Sequence, residues 1–131
     1  MKYRLIFLAF LSLTVLCFSG CRKHSEDLIT GRWEMINVAD IHSPVVVEWE
    51  FDNGVVTMFE RPKESPGDFN KIDEGFYVLE STPLNTTLRL LNTSNELWND
   101  NWDVSTLDNR VLILHLQVTG GVMFKEFVKI R

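Results

Sequence analysis

Apolar and polar residues alternate along most of the chain beyond residue 30, and Gly, Pro, Asn or Asp interrupt the alternation about every ten positions. In Val45–Asp52 every odd-numbered position is apolar and three of the four even-numbered positions are acidic. This period of two is typical of a β-strand with one face in a core. Asn53-Gly54 follows, and because this pair accepts the positive φ angles of a type I′ turn, we expect a tight hairpin.

The same reasoning predicts eight strands in succession. They are Gly31–Val38, Val45–Asp52, Val55–Arg61, Gly75–Glu80, Thr87–Leu91, Trp102–Leu107, Arg110–Val118 and Val122–Ile130. Two prolines and a glycine between residues 61 and 70 predict a loop, and Thr119-Gly120-Gly121 predicts the last hairpin turn. Before the first strand, Ser25 is a candidate cap for one short helical turn. The predicted fold class is all-β, an eight-stranded antiparallel up-and-down barrel, because closure removes exposed strand edges.

Alternation also predicts which side chains point into the barrel. The inward set is Trp33, Met35, Val47, Trp49, Phe51, Tyr77, Leu79, Leu88, Leu90, Trp102, Val104, Leu112 and Leu114. An eight-stranded barrel is either filled by its side chains or just wide enough for one small ligand. If it holds a ligand, the candidate binding residues are the large rings Trp33, Trp49, Phe51, Tyr77 and Trp102. If it is filled, the same rings form its core, and the sequence leaves both alternatives open.

The first twenty residues have the pattern of an export signal. Lys2 and Arg4 precede an apolar run over residues 5–18, which as a helix rises about 21 Å and is too short for a hydrocarbon core of roughly 30 Å. Two small residues, Ser19 and Gly20, come directly before Cys21. We therefore predict a lipoprotein signal peptide at 1–20, a lipidated tether at 21–30 that begins with an acylated (palmitate-carrying) Cys21, and a barrel domain at 31–131. The alternative is an ordinary secretory signal followed by a spare cysteine.

Charge and location narrow the function classes. Residues 1–20 contain two of the thirteen Lys and Arg and none of the eighteen Asp and Glu, so the mature chain carries a formal charge of −7. Such an acidic domain is a poor ligand for nucleic acid, which we exclude as a partner. The expected location is the cell envelope, with the protein held in the membrane by its lipid. No Asp follows Cys21 to retain the protein at the inner membrane, which favours the outer membrane.

Candidate catalytic and metal-binding chemistry is sparse. None of the three histidines has a second His or Cys at the spacing of a metal site, and no Gly-x-Ser-x-Gly motif occurs. Alternation places His115 on the outer face of its strand, and predicts that Glu48, Glu50 and Asp52 form a solvated face. We therefore expect no catalytic residues, no metal, no cofactor and no enzymatic activity.

Five short motifs in a fixed order carry a resemblance. They are Gly31-Arg32-Trp33, Gly75-Phe76-Tyr77, Trp102-Asp103-Val104, Leu112-x-Leu114 and Phe127-Val128-Lys129-Ile130. In this order and spacing, residues 31–131 resemble the lipocalins and the small lipocalin-like bacterial lipoproteins. One departure is Thr106-Leu107-Asp108-Asn109, where larger lipocalins have a Thr-Asp-Tyr motif.

The resemblance implies a barrel that binds a small apolar or amphipathic molecule in the cell envelope. It also implies a late arginine stacked on the first-strand tryptophan, for which Arg131 is the candidate opposite Trp33. The alternative function is a barrel with a solid core that acts as a protein-interaction or accessory subunit and binds an envelope protein through its outer surface.

Overall fold

The computed structural model of the protein describes residues 23–36 and 42–130. It contains eight strands, β1 Gly31–Ile36, β2 Val45–Asp52, β3 Val55–Pro62, β4 Asn70–Ser81, β5 Thr86–Leu91, β6 Asn101–Leu107, β7 Val111–Val118 and β8 Gly121–Lys129. Each strand pairs antiparallel with the next, and β1 also pairs with β8. The predicted eight-stranded up-and-down barrel is therefore confirmed. Cys21 and the proposed signal peptide lie outside the described residues, as do positions 37 and 38 of the predicted first strand.

The strand β4 is the main difference from the predicted boundaries. It begins at Asn70 rather than Gly75, because residues 70–74 pair with β3 along Thr57–Glu60 around a bulge between Met58 and Phe59. The predicted loop is correspondingly shorter and covers residues 63–69.

Two tight turns fix the register of their hairpins. Asn53 and Gly54 have φ angles of 48° and 81°, which confirms the predicted type I′ turn between β2 and β3. Residues 119–120 form a two-residue turn in which Gly120 has a φ of 93°. Because Val118 pairs with Gly121 across this turn, Leu114 lies opposite Lys125 farther along the hairpin.

A short helix over residues 23–29 closes one end of the barrel. Ser25 lies within it rather than capping it, and its hydroxyl donates to the Ser81 Oγ at 3.2 Å. Ile29 is fully buried, and its carbonyl accepts a hydrogen bond from the Trp33 indole at 2.7 Å. Within the described residues, no helix is long and apolar enough to span a bilayer.

The two ends of the barrel differ in their connections. We call the end that carries the helix and the turns 53–54, 82–85 and 108–110 the helix end. The opposite end, which carries the connections 63–69, 92–100 and 119–120, is the far end. Between the two ends, fifteen buried apolar side chains of the described residues form one core.

The predicted inward set is confirmed by this core. Ten of its thirteen members are buried, and Met35, Val47 and Val104 pack against the core while remaining partly exposed. The core also contains five residues outside the predicted set, which are Ile29, Val56, Met58, Leu116 and Phe127. Fully burying an apolar side chain of this size contributes about 1.5–3 kcal/mol, so these residues supply the main force that closes the barrel.

The predicted solvated acidic face of β2 is wrong at Glu48, whose side chain is 1% exposed. Its carboxylate accepts from the Arg61 Nε at 2.6 Å and lies 3.7 Å from the Arg32 guanidinium. Arg32 is itself held between the rings of Phe59 and Phe69, at 4.4 and 4.8 Å from their centroids. The neighbouring strands each bring an arginine over the acid, so outward direction on the strand does not mean contact with water here.

Candidate functional site

The five candidate binding residues lie inside the barrel and pack against one another. Ring centroids are 6.2 Å apart between Trp49 and Phe51, and 5.1 Å apart between Phe51 and Tyr77. Trp33 and Tyr77 lie toward the helix end and Trp49 and Trp102 toward the far end; Tyr77 is 8% exposed and the other four are fully buried. These rings therefore form part of the core of the barrel. A groove lies at each end of the barrel.

The helix-end groove has a volume of about 410 Å³ and is lined mainly by polar groups. Glu26 and Asp27 of the helix face Asn53 and Tyr77 across it. Burial raises the pKa of the Tyr77 phenol, so the ring presents a neutral hydroxyl at physiological pH. This polar lining makes the helix-end groove a poor place for an apolar molecule.

The far-end groove has a volume of about 530 Å³ and an apolar floor. Met58, Ile72, Leu97 and Trp98 supply the apolar lining, and Asp73 and residues 94–96 supply a polar rim. Ile72 is 45% exposed and Leu97 is 68% exposed, so both side chains are accessible from solvent. The far-end groove is shallow and largely open to solvent, and its lining combines apolar and polar groups.

The connection 92–100 positions Trp98 between this groove and the core. The Asn99 Oδ1 accepts from both the backbone N–H and the hydroxyl of Thr93 at 2.8 Å, which closes the connection on itself. Between Thr93 and Asn99, residues Glu96–Trp98 form a 3₁₀ turn. The Trp98 carbonyl accepts a hydrogen bond from the Trp102 indole at 2.9 Å. The Trp98 ring lies 5.4 Å from the Trp49 ring and also lines the groove, so it is shared by both.

Lys125 is the functional candidate that sequence reasoning missed. It lies opposite the buried Leu114 and points into the barrel, where its Nζ is 4.1 Å from the Trp98 ring centroid. The same Nζ is 5.3 Å from the Trp49 centroid and 5.9 Å from that of Trp102. We call these three rings the tryptophan cage. Burial lowers the pKa of Lys125 to about 8, which leaves the ammonium mainly protonated at pH 7.

Two hydrogen-bond donors in the tryptophan cage have no acceptor. The Trp49 Nε1 is buried without a partner, whereas the indoles of Trp33 and Trp102 both donate to backbone carbonyls. Among residues 23–36 and 42–130, no acceptor lies within hydrogen-bond distance of the Lys125 Nζ and no carboxylate within ion-pair distance. A buried donor left unpaired costs about 1–3 kcal/mol, and within the described residues the Trp49 Nε1 shares this state only with the Glu48 Oε2, an acceptor beneath Arg32 and Arg61.

Lys129 occupies the place that the resemblance implies for a late arginine. Its Nζ lies 5.0 Å from the Trp33 ring centroid and donates to the Leu28 carbonyl at 2.7 Å. Arg131, the predicted partner of Trp33, lies outside the described residues. A cation over the first-strand tryptophan is thus present, and the residue that supplies it is a lysine.

A group with the residue types of a catalytic triad lies on the outer face of β6 and β7. The Ser105 Oγ is 2.6 Å from the His115 Nδ1, and the His115 Nε2 is 3.5 Å from Asp103. Ser105 is exposed and the Asp103 side chain is half exposed, and none of the three residues lines either groove. His115 points outward as predicted. Among the described residues, no group of three or more His, Cys, Asp or Glu side chains could hold a metal ion.

Comparison with protein-family models, with curated proteins and with solved structures finds no match to this chain. Function is therefore argued from the far end of the barrel itself, where an open groove, an aromatic cage and two unpaired donors adjoin.

Proposed function

We propose that this protein is a lipid-anchored lipoprotein of the cell envelope whose barrel binds a small amphipathic molecule at the far end. The observation that carries the proposal is the position of Trp98, which forms part of both the far-end groove and the tryptophan cage. A molecule in the groove would therefore contact Trp98, the one ring of the tryptophan cage that lines the groove.

The lining of the groove supports an amphipathic ligand rather than a purely apolar one. Met58, Ile72 and Leu97 offer apolar contacts, and each buried CH₂ of a ligand contributes about 0.8 kcal/mol. The rim offers the Ser94, Asn95 and Glu96 residues, which suit a group that stays hydrated. The ligand class is the one that the resemblance to lipocalin-like lipoproteins implies, and its position is at the mouth of the barrel.

The location of the helix supports a role for the anchor. The first described residue, Lys23, is helical and follows Cys21 by two peptide units, which span at most about 7 Å. A lipidated Cys21 would hold the helix end near the bilayer and leave the far-end groove facing away from it. Replacing Cys21 with Ala should then release the protein from the membrane fraction, and retention of that variant in the membrane would contradict the anchor.

Native mass spectrometry of the full-length protein purified from its own cells tests the binding proposal. We expect an additional mass of a few hundred daltons, the size of a ligand that fits such a groove. A denaturing spectrum of the same sample retains covalent acyl chains and loses a non-covalent ligand, so it separates the anchor from the cargo.

Two exposed leucines provide the variant and its control. Leu97 lines the groove and is 68% exposed, whereas Leu84 is 97% exposed in a turn at the helix end. Leu97→Asp should lose the additional mass and Leu84→Asp should keep it, because neither change buries a charge. An additional mass that persists in Leu97→Asp, or that is absent from the unmodified protein, contradicts the proposal.

A second candidate function, an interaction subunit of the envelope, is favoured by the outer face of β8 and β1. Phe124 is 62% exposed, and Val122 and Ile36 are 42% and 45% exposed on the same face. An apolar face of this kind marks protein contacts when it is contiguous. A photo-crosslinking amino acid at position 124 should then give one discrete product in living cells, with position 84 as the control; no product at 124 removes this candidate.

A further inference from the structure

Within residues 23–36 and 42–130, the far-end site contains two donors and no matching acceptor. The Lys125 ammonium lies within the tryptophan cage, 4.1 Å from the centroid of Trp98, and the Trp49 Nε1 is buried nearby without a partner. The Lys125 Nζ is 5.3 Å from the Trp49 ring centroid, so the two donors belong to side chains in contact. Lys125 itself is partly exposed and lies against Trp98. Trp98 lines the far-end groove, whereas Lys125 and Trp49 do not, so a head group would reach them past the Trp98 ring.

The geometry points to a ligand with a single anionic head group, a carboxylate, whose oxygens accept hydrogen bonds from Lys125 and Trp49 while its apolar part lies in the far-end groove. This inference rests on the proposed function and names the class of molecule that the groove would hold.

The other ligand charges fit less well. A neutral apolar ligand would leave both donors unpaired, and a cation would face the Lys125 ammonium in a site of low dielectric. Any anion approaches past the carboxylates of Asp73 and Glu96 at the rim of the groove, and a dianion would in addition carry a second charge that the one lysine does not match. A monoanion satisfies both donors and adds no uncompensated charge.

The alternative is that the tryptophan faces alone compensate the ammonium. Cation–π contacts with a lysine are attractive, and three rings surround this one. On this alternative Lys125 is a structural residue and the site has no preference for an anion. The two interpretations differ in what happens when head groups of different charge are offered to the same groove.

Three probes that share the same eight-carbon chain and differ in head-group charge make that comparison: octanoate, octanol and octylammonium. The full chain is held in nanodiscs of zwitterionic phosphatidylcholine, and binding is measured by calorimetry at pH 7 against empty nanodiscs as the blank for partitioning. We expect octanoate to bind about tenfold or more tightly than octanol, the effect of one charge-assisted hydrogen bond, and octylammonium to bind more weakly than either.

Two lysine variants assign the preference. Lys125→Met should bind octanoate and octanol with equal affinity. Lys129→Met should keep the preference for octanoate, because Lys129 contacts the Trp33 ring and donates to the Leu28 carbonyl at the helix end of the barrel. Trp49→Phe removes only one donor and should reduce the preference part of the way.

The outcomes separate this inference from the proposed function. Equal binding of octanoate and octanol to the unmodified protein overturns the anionic ligand and supports an amphipathic one. A preference for octanoate that survives in Lys125→Met also overturns the inference, since another cation would then be responsible. Failure of all three probes to bind overturns the far-end ligand site together with its charge.

Discussion

The barrel contains two pairs of a lysine over a buried tryptophan, one at each end, and the two pairs differ in their partners. At the helix end Lys129 donates to the Leu28 carbonyl and Trp33 to the Ile29 carbonyl, at 2.7 Å in both cases. At the far end Lys125 has no acceptor within the described part of the chain, and Trp49 has none either. The helix supplies the carbonyls at one end, and no described residue supplies an acceptor at the other.

This difference distinguishes a structural pair from a candidate binding pair. The lysine and the tryptophan at the helix end are explained by the groups that they hold in place, since they fasten residues 23–29 to the barrel. The pair at the far end stabilises no segment in this way, and it adjoins a groove that is open to solvent. A buried polar group without a partner requires an explanation, and a ligand is one that experiment can test.

The largest expected contrast is between the two tryptophans. Trp33→Phe removes a buried hydrogen bond and leaves the Ile29 carbonyl unpaired, so we expect it to lower the free energy of unfolding by about 3 kcal/mol. Trp49→Phe leaves a gap of similar size but also removes an unpaired donor, and it should lower that free energy by only about 1 kcal/mol. Urea denaturation of both variants measures the difference, and equal losses would mean that the two indoles are equivalent.

The next contrast concerns the helix-end lysine. Lys129→Met removes the hydrogen bond to the Leu28 carbonyl and the cation from the face of Trp33. We expect the free energy of unfolding to fall by about 1–2 kcal/mol. Hydrogen exchange should show the cause, because the amides of residues 25–29 would lose protection before those of the strands. Unchanged protection of the helix would show that Lys129 does not hold it.

The far-end lysine should give the opposite sign. Lys125→Met removes a partly buried ammonium that has no counter-charge, and methionine keeps most of the apolar contact with the tryptophan cage. We expect the free energy of unfolding at pH 7 to rise by about 1 kcal/mol, a figure reduced to allow for the part of the side chain that stays in water. A loss of stability in this variant would indicate that the cage compensates the charge fully.

Much of the fold could be predicted because one face of most strands is buried. In β2 apolar and acidic residues alternate from Val47 to Asp52, and Asn53-Gly54 specifies the turn that follows. The first part of β4, residues 70–74, gave no such signal, because four of its five residues are polar and its pairing with β3 determines its structure. The prediction that Glu48 is solvated was wrong for a related reason. Alternation indicates to which face of the sheet a side chain points, and it cannot show that Arg32 and Arg61 cover the acid.

The candidate site was harder to predict because a change of one residue in the length of the last turn determines whether Lys125 points into the barrel or outward. A two-residue turn at 119–120 pairs Lys125 with the inward Leu114, as the structure has it. The three-residue turn suggested by Thr119-Gly120-Gly121 would pair Lys125 with the outward His115 and place the ammonium in water. Trp98 has no strand alternation to place it, and its position depends on the Thr93–Asn99 hydrogen bonds of an irregular connection.

The smallest expected effect is the dependence of the far-end pair on pH. Burial lowers the pKa of Lys125 from 10.5 to about 8 in the folded protein, and unfolding restores the ordinary value. Below pH 8 both states are protonated and the destabilising effect of the buried charge is fully present. Between pH 8 and 10.5 the unfolded state binds more protons than the folded state, so the free energy of unfolding rises with pH. Above 10.5 both states are neutral at this residue and the effect is gone.

The comparison with Lys125→Met isolates this residue from every other group that titrates at high pH. The extra stability of the variant, about 1 kcal/mol at pH 7, should shrink steadily from pH 8 upward and approach zero by about pH 10. A difference that stays constant over this range would mean that Lys125 titrates as an ordinary solvent-exposed lysine. In that case the far-end pair would be in contact with water, and the contrast between the two ends of the barrel would rest on Trp49 alone.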